Sequence, residues 1–116
     1  MEELTDDIWR PFDNGSTITK DNLDGPAIIL DIENIDGARI TIERNGAKRY
    51  FEITFGIYYV MFHTHFERSV ENAYIYVRLT KKRIETVIDH YNVEENNRDD
   101  EWYSTRDILL NELVQR

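Results

Sequence analysis

The sequence predicts an α+β fold: a four-stranded antiparallel meander sheet with a long helix packed on one face and a short C-terminal helix. Apolar and polar residues alternate between residues 27 and 66, turn dipeptides separate the alternating runs, and the apolar period becomes helical after residue 69. We therefore expect a single domain of 116 residues with an irregular N-terminal arm at 1–26, an antiparallel sheet at 27–66 and a helical part at 69–116.

The predicted strands cover Ala27–Ile35, Ala38–Arg44, Lys48–Phe55 and Ile57–Phe66. Asp36-Gly37 and Asn45-Gly46 indicate hairpin turns, because tight turns place such residues at positive φ. We expect Gly56 to break the chain between the third and fourth strands. The fourth strand is apolar on both faces, which predicts a central strand or one that is covered on both sides.

The N-terminal arm contains two aromatic residues, Trp9 and Phe12, that we expect to pack on the body of the domain. Asp6 and the residue after it are expected to start a short helical turn that Pro11 ends. Alternation puts Val60 and Phe62 on one face of the fourth strand, and Tyr59 and Met61 on the other. One of these two sets should therefore be covered by the arm or by a second subunit.

Ser69 is predicted to be the N-cap of the long helix, Val70–Tyr91, since its hydroxyl can accept a bond from a free backbone N–H. A strand at Ala73–Leu79 is the competing prediction, because that segment is rich in β-formers. The helix is favoured, since the helical period continues on both sides of the segment.

Residues 92–101 are predicted to form an exposed acidic linker, and a last helix is predicted at Thr105–Val114. Ser104 followed three residues later by Asp107 resembles a capping box with Asp in the usual Glu position.

Composition excludes several classes of function. The formal net charge of −9 and the pI of about 4.7 disfavour nucleic acid and anionic membranes as partners. The chain has no cysteine, which excludes disulfides and thiolate chemistry. The acidic N-terminus does not resemble a signal peptide, and no apolar run has the length of a membrane span. We expect a soluble, cytoplasmic, bacterial protein.

The side chains with most scope for chemistry are His63, His65 and Glu67, which share one face if their segment is a strand. Imidazole and carboxylate groups are ligands for zinc and similar metals, so a small metal-dependent enzyme is the alternative function. The same three residues also fit the solvated end of a buried strand, which is the favoured interpretation. No catalytic residue and no cofactor is assigned.

Charge is unevenly distributed along the chain. Residues 1–36 have a net charge of −8, residues 37–91 of +3 and residues 92–116 of −4. Charge complementarity within the chain, together with solubility, is the favoured interpretation of this pattern. The other interpretation is an acidic surface that steers a basic protein partner. The candidate partner-binding acids are Glu94, Glu95, Asp99 and Asp100.

Two apolar residues, Ile75 and Leu79, lie opposite the main apolar stripe of the predicted helix. Cover by the C-terminal helix is the favoured interpretation, and a partner surface is the other. In the second case the two residues would serve as apolar anchors beside the acids.

The segments Asp36-Gly-Ala-Arg-Ile-Thr-Ile-Glu43, Glu52-Ile-Thr-Phe-Gly-Ile-Tyr58 and Met61-Phe-His-Thr-His-Phe66, followed by a helix, resemble a group of small acidic bacterial proteins of the immunity type, which are encoded near polymorphic toxins. The resemblance spans roughly residues 27–91 and transfers no catalytic residue. It implies a protein–protein interaction module, with an immunity protein that neutralises a basic toxin as its specific form. A homodimer is also compatible with the sequence.

Overall fold

A computed structural model describes residues 4–20, 25–46 and 49–115 of the chain. The strands are β1 (Trp9–Pro11), β2 (Ala27–Asn34), β3 (Ala38–Asn45), β4 (Tyr50–Ile57) and β5 (Met61–Glu67). The helices are α1 (Val70–His90) and α2 (Asp100–Val114), and two short 3-10 segments lie at Phe12–Gly15 and Glu95–Asn97. All strand pairs are antiparallel, and the order in the sheet follows the order in the chain.

The predicted α+β class is confirmed, but the sheet has five strands rather than four. The additional strand, β1, lies in the arm that the sequence analysis describes as irregular, and it pairs Trp9 with Asn34 and Pro11 with Ile32. The predicted helical turn at Asp6 is wrong, because the Asp6 carboxylate accepts the backbone N–H groups of Ile8 and Trp9 and so closes a turn into the strand. A three-residue strand that ends in proline has no alternation from which to predict it.

One face of the sheet, here called the inner face, forms the core of the first part of the chain. Isoleucines on β2, β3 and β4 are at most 5% exposed on this face: Ile32, Ile40, Ile42, Ile53 and Ile57. Trp9 on β1 and Phe55 on β4 are equally buried there. The first turns of α1 cover this face, since the ring of Tyr76 packs against Phe55.

The first hairpin confirms the predicted turn. Asn34 pairs with Ala38, and the loop between them ends at Gly37, whose φ of +111° suits glycine. The second hairpin is longer than the predicted two-residue turn, since Asn45 pairs with Tyr50 and Arg49 adopts a φ of +53°. The predicted start of the third strand at Lys48 lies outside the described residues.

Gly56 lies inside β4, so the predicted break at this residue is wrong. The break falls at residues 58–60, where Tyr59 has a φ of +65°, and the predicted strand Ile57–Phe66 becomes Met61–Glu67. Gly56 is required for close approach: a Cβ there would lie 3.0 Å from the Met61 carbonyl oxygen and 3.1 Å from the Phe62 Cβ.

β5 is an edge strand, which contradicts the predicted central or doubly covered position. It pairs with β4 in the order of the sheet, and the Phe62 side chain is 82% exposed. Trp9 and Phe12 do not cover it, because Trp9 lies on β1 at the opposite edge of the sheet, and the Arg39 Cζ lies over the Phe12 ring, 3.6 Å from the centroid. The expected cover by these two aromatic residues is therefore wrong for β5, and cover by a second subunit stays a prediction.

The long helix is confirmed, and a strand at Ala73–Leu79 is excluded. Ser69 is its N-cap, because the hydroxyl oxygen accepts the backbone N–H of Asn72 at 3.1 Å.

The second helix begins at Asp100, five residues before its predicted start. Asp99, rather than Ser104, is the N-cap, and its carboxylate accepts the backbone N–H of Trp102 at 2.8 Å. The predicted capping box at Ser104 and Asp107 is wrong because both residues lie inside the helix.

The chain divides into two compact units, residues 1–77 and residues 78–116, and α1 continues through the boundary. The first unit contains the sheet and the beginning of α1. The second contains the rest of α1, the segment at residues 94–100, here called the acidic turn, and α2. None of the helices in the described part of the chain is long and apolar enough to cross a membrane.

Truncation of the buried indole tests the additional strand. Trp9 is fully buried, so Trp9→Ala should lower the free energy of unfolding by about 3–5 kcal/mol through lost burial and the remaining cavity. Ile8→Ala is the matched control, because Ile8 is 42% exposed and its truncation should cost less than about 1 kcal/mol. Equal effects in urea unfolding would contradict the assignment of Trp9 to the core.

A second pair of variants tests the start of α2. Asp99→Ala should destabilise by about 1 kcal/mol, because a free helical N–H loses its acceptor. Ser104→Ala should leave the midpoint of thermal unfolding almost unchanged. A larger loss of stability in Ser104→Ala than in Asp99→Ala would instead support a helix that starts after Ser104.

Candidate functional site

The three residues of the predicted histidine site lie on the inner face of β5, as alternation predicts. His63 is opposite Phe55 in the sheet, His65 is opposite Ile53 and Glu67 is opposite Phe51. The sheet therefore brings the three side chains to one face, but that face is the apolar core face rather than an open cleft.

His65 is held by two interactions. Its Nε2 lies 2.5 Å from a carboxylate oxygen of Glu67, and its ring stacks on Tyr76 with centroids 3.8 Å apart and planes 8° apart. His63 instead packs its ring against Phe55, with centroids 5.6 Å apart. The imidazole of His65 is thus an oriented hydrogen-bonding group whose side chain is 10% exposed.

Within the described residues, no group of three or more histidine, aspartate or glutamate side chains has an arrangement that could hold a metal ion. The arrangement that is present is an imidazole–carboxylate pair beside an aromatic stack. Such a pair orients the ring at a partly buried position.

The outer face of the sheet carries an ion pair between neighbouring strands, in which Asp31 is buried and Arg39 is half-buried. Asp31 is 2% exposed and receives two hydrogen bonds from the Arg39 guanidinium, at 2.9 and 2.7 Å. Thr17 of the arm donates a third bond to the same carboxylate, at 2.7 Å. The hydrogen bond to Asp31 raises the pKa of Arg39. This network fastens the arm to β2 and β3.

Tyr58 extends this network to the β4–β5 turn, since its hydroxyl donates to Glu33 at 2.5 Å. Partial burial, followed by this hydrogen bond, raises the pKa of Tyr58 to about 12. Further along the outer face the phenylalanine side chains of β5, Phe62 and Phe66, are exposed, and so is Tyr59 in the β4–β5 turn.

The predicted partner-binding acids occupy one segment of the second unit. Glu94 and Glu95 lie at the start of the second 3-10 segment, Asp99 caps α2 and Asp100 is in its first turn. All four residues are exposed. Asp99 thus has a structural role that the sequence analysis does not assign to it.

This acidic turn is held in one conformation by Arg98. Its guanidinium donates to the backbone carbonyls of Val93 and Tyr91, at 3.0 and 3.1 Å, and lies over the Trp102 ring, 4.5 Å from the centroid. Two free carbonyls at the end of α1 are satisfied in this way.

His90 and Trp102 join the two helices of the second unit by reciprocal bonds. The indole Nε1 donates to the His90 carbonyl, and His90 Nε2 lies 2.8 Å from the Trp102 carbonyl. Since a carbonyl oxygen only accepts, His90 carries its proton on Nε2. The two rings also stack, with centroids 4.5 Å apart.

Tyr103 and Ile108 are exposed on α2, at 40% and 59%. They stand among exposed acids of the same helix: Asp100, Glu101, Asp107 and Glu112. The helical period predicts that Ile108 docks the last helix, which is wrong, and Tyr103 lies before the predicted start of that helix.

Ile75 and Leu79 are 53% and 44% exposed, so the favoured interpretation that the C-terminal helix buries them is wrong. Ile75 belongs to the first unit, whereas Leu79 and the acidic turn belong to the second. Their role as anchors for a partner stays a prediction.

Comparisons of the chain with protein-family models, with curated proteins and with solved structures found no match. The resemblance to immunity-type proteins therefore stays a prediction, and the argument for function rests on the chain's own surfaces.

We predict that His63 and His65 bind no catalytic metal, because one imidazole is bonded to Glu67 and the other packs on Phe55. Zinc titration by calorimetry, with elemental analysis after dialysis, checks this. Stoichiometric zinc that is retained by the wild type and lost in His63→Ala would overturn the prediction and support the metal-dependent enzyme.

Proposed function

We propose that this chain is a small acidic protein-interaction module that binds a basic protein, with neutralisation of a basic toxin as its specific role. The observation that carries the proposal lies on α2, where exposed Tyr103 has Asp100 and Asp107 as its helical neighbours and exposed Ile108 has Glu112. Interfaces commonly place aromatic and apolar anchors inside a polar rim, and the rim charges select the partner.

The rigidity of the acidic turn supports the same proposal. Arg98 and the His90–Trp102 pair hydrogen-bond the ends of the turn to the two helices, so we expect little conformational entropy to be lost on association. An acidic surface that is already ordered acts on a basic partner during the approach, since steering depends on the charges that the partner meets first.

Charge-steered binding has a definite kinetic signature. The association rate should fall as salt rises, because ions at physiological strength screen charges beyond about 8 Å. The dissociation rate should change much less. Truncation of Tyr103 or Ile108 to alanine should have the opposite pattern, with faster dissociation and an almost unchanged association rate.

The experiment starts with the immobilised chain and the protein that it retains from the native cell. That protein must be basic, and its binding is then measured at low and high salt. Glu94→Gln, Glu95→Gln, Asp99→Asn and Asp100→Asn are combined in one variant, in which asparagine keeps the N-cap of α2. We expect its association rate to fall about tenfold at low salt.

The matched control neutralises four acids elsewhere, at Glu43, Glu52, Glu71 and Asp89, so the net charge changes equally. A smaller effect of the control locates the steering surface at the acidic turn. An association rate that changes neither with salt nor with the four substitutions would refute electrostatic steering by the acidic turn. Copurification of a small molecule or metal, with no protein partner, would refute the interaction module itself.

A further inference from the structure

The two edges of the sheet differ in how they are protected. β1 is three residues long and ends in Pro11, whereas β5 is seven residues long and contains no proline. Among the described residues, β5 pairs with β4 alone. An edge strand of this length normally needs a charge, a bulge or a cover to prevent pairing with another strand.

The side-chain distances show which backbone groups of β5 face this open edge. The hydroxyl oxygens of Thr54 and Thr64 are 3.3 Å apart, and a Cβ on Gly56 would lie 3.1 Å from the Phe62 Cβ. Such close approach is typical of non-hydrogen-bonded antiparallel pairs. The backbone N–H and C=O groups of Phe62, Thr64 and Phe66 therefore point away from β4.

We propose that β5 pairs with β5 of a second copy of this chain, antiparallel, with a two-fold axis through Thr64. In this register Thr64 lies opposite itself, and Phe62 lies opposite Phe66 of the second copy. All three outward-facing residues then form backbone hydrogen bonds, and two aromatic cross-strand pairs form on the outer face. The interface is self-complementary, as a two-fold dimer requires.

Charge is compatible with this register despite the net charge of −9. Glu67 lies opposite Met61, and Arg68 lies opposite Val60, so no like charges face each other. Within the first unit, residues 37–77, which include β3, β4 and β5, have a net charge of +1, while the excess acids lie towards the two ends of the sequence. Two copies therefore meet at this edge without the repulsion that their total charge implies.

Shifts of the register by two residues are less favourable. One shift places Phe62 opposite Thr64, and the other places it opposite Arg68. In each shifted register, only two of the residues Phe62, Thr64 and Phe66 pair with a member of the same set in the second copy. The aromatic pairing thus selects the register that is centred on Thr64.

The size of the surface predicts a weak but closed dimer. Phe62 and Phe66 are 82% and 54% exposed, which corresponds to about 250 Å² per copy. The two copies together contribute about 500 Å² of phenylalanine surface, and with the two strand edges the interface stays below about 1,200 Å², the range of weak contacts. A dissociation constant in the micromolar range is therefore expected. Growth stops at two copies, because β1 is too short to extend the sheet.

The absence of cysteine makes cross-linking a direct test. Under mild oxidation Thr64→Cys should form an inter-chain disulfide, because this residue faces itself across the axis. Phe62→Cys and Phe66→Cys should each remain uncross-linked alone, yet form a disulfide when the two proteins are mixed. Cross-linking of Phe62→Cys with itself, or none in the mixture, would overturn the register.

Sedimentation measures the dimer without any cysteine. The wild type should dimerise at about 200 µM, and Phe62→Lys should weaken the dimer at least about tenfold. Tyr59→Lys is the matched control, since Tyr59 is fully exposed but lies outside β5 and should leave the dimer intact. A wild type that stays monomeric at this concentration refutes the proposal, as does a dimer that tolerates Phe62→Lys.

This proposal does not rest on the proposed function, which concerns the second unit. Phe62→Lys should leave the binding of a basic partner unchanged, and neutralisation of the acidic turn should leave the dimer unchanged. If the dimer is refuted, the proposed binding of a basic partner still stands, and the reverse also holds.

Discussion

The register of β3 against β4 is the constraint on which the rest of the structure depends. Eight consecutive pairs run from Ala38 with Ile57 to Asn45 with Tyr50, with no bulge between them. Because the side-chain period of a strand is two, this register decides which residues of each neighbouring strand are buried. A slip of one residue would move the isoleucine layer to solvent and the Asp31–Arg39 pair into the apolar core.

The same parity explains the two contrasting faces of β5. His63 and His65 pair with Phe55 and Ile53 and therefore lie on the inner face. Phe62 pairs with Gly56 and therefore lies on the outer face. An imidazole on a core face needs a partner, and His65 has one in Glu67. A phenylalanine beside a glycine has no neighbouring side chain to cover it, so its ring remains exposed.

Much of the fold follows from the sequence because alternation and helical period are local signals. β1 could not be predicted, since a three-residue strand is stabilised by its pairing with β2 rather than by its own residues. The early start of α2 was missed because the acidic residues Asp99 and Asp100 are also typical of an exposed linker. In the structure Asp99 caps the helix and Asp100 lies in its first turn. Which strand forms the edge depends on long-range pairing, and the apolar residues of β5 therefore predicted a central strand instead.

The two candidate surfaces differ in their physics as well as in their position. Acids of the turn at Glu94–Asp100 act at a distance through Coulomb attraction, and salt weakens that attraction before contact. The open edge of β5 acts only on contact, through backbone hydrogen bonds and the rings of Phe62 and Phe66, which salt hardly affects. The Coulomb attraction and the edge pairing depend on different residues. Partner binding should therefore respond to salt, and dimer formation to substitutions in β5. Salt and a single phenylalanine substitution are therefore sufficient to separate them.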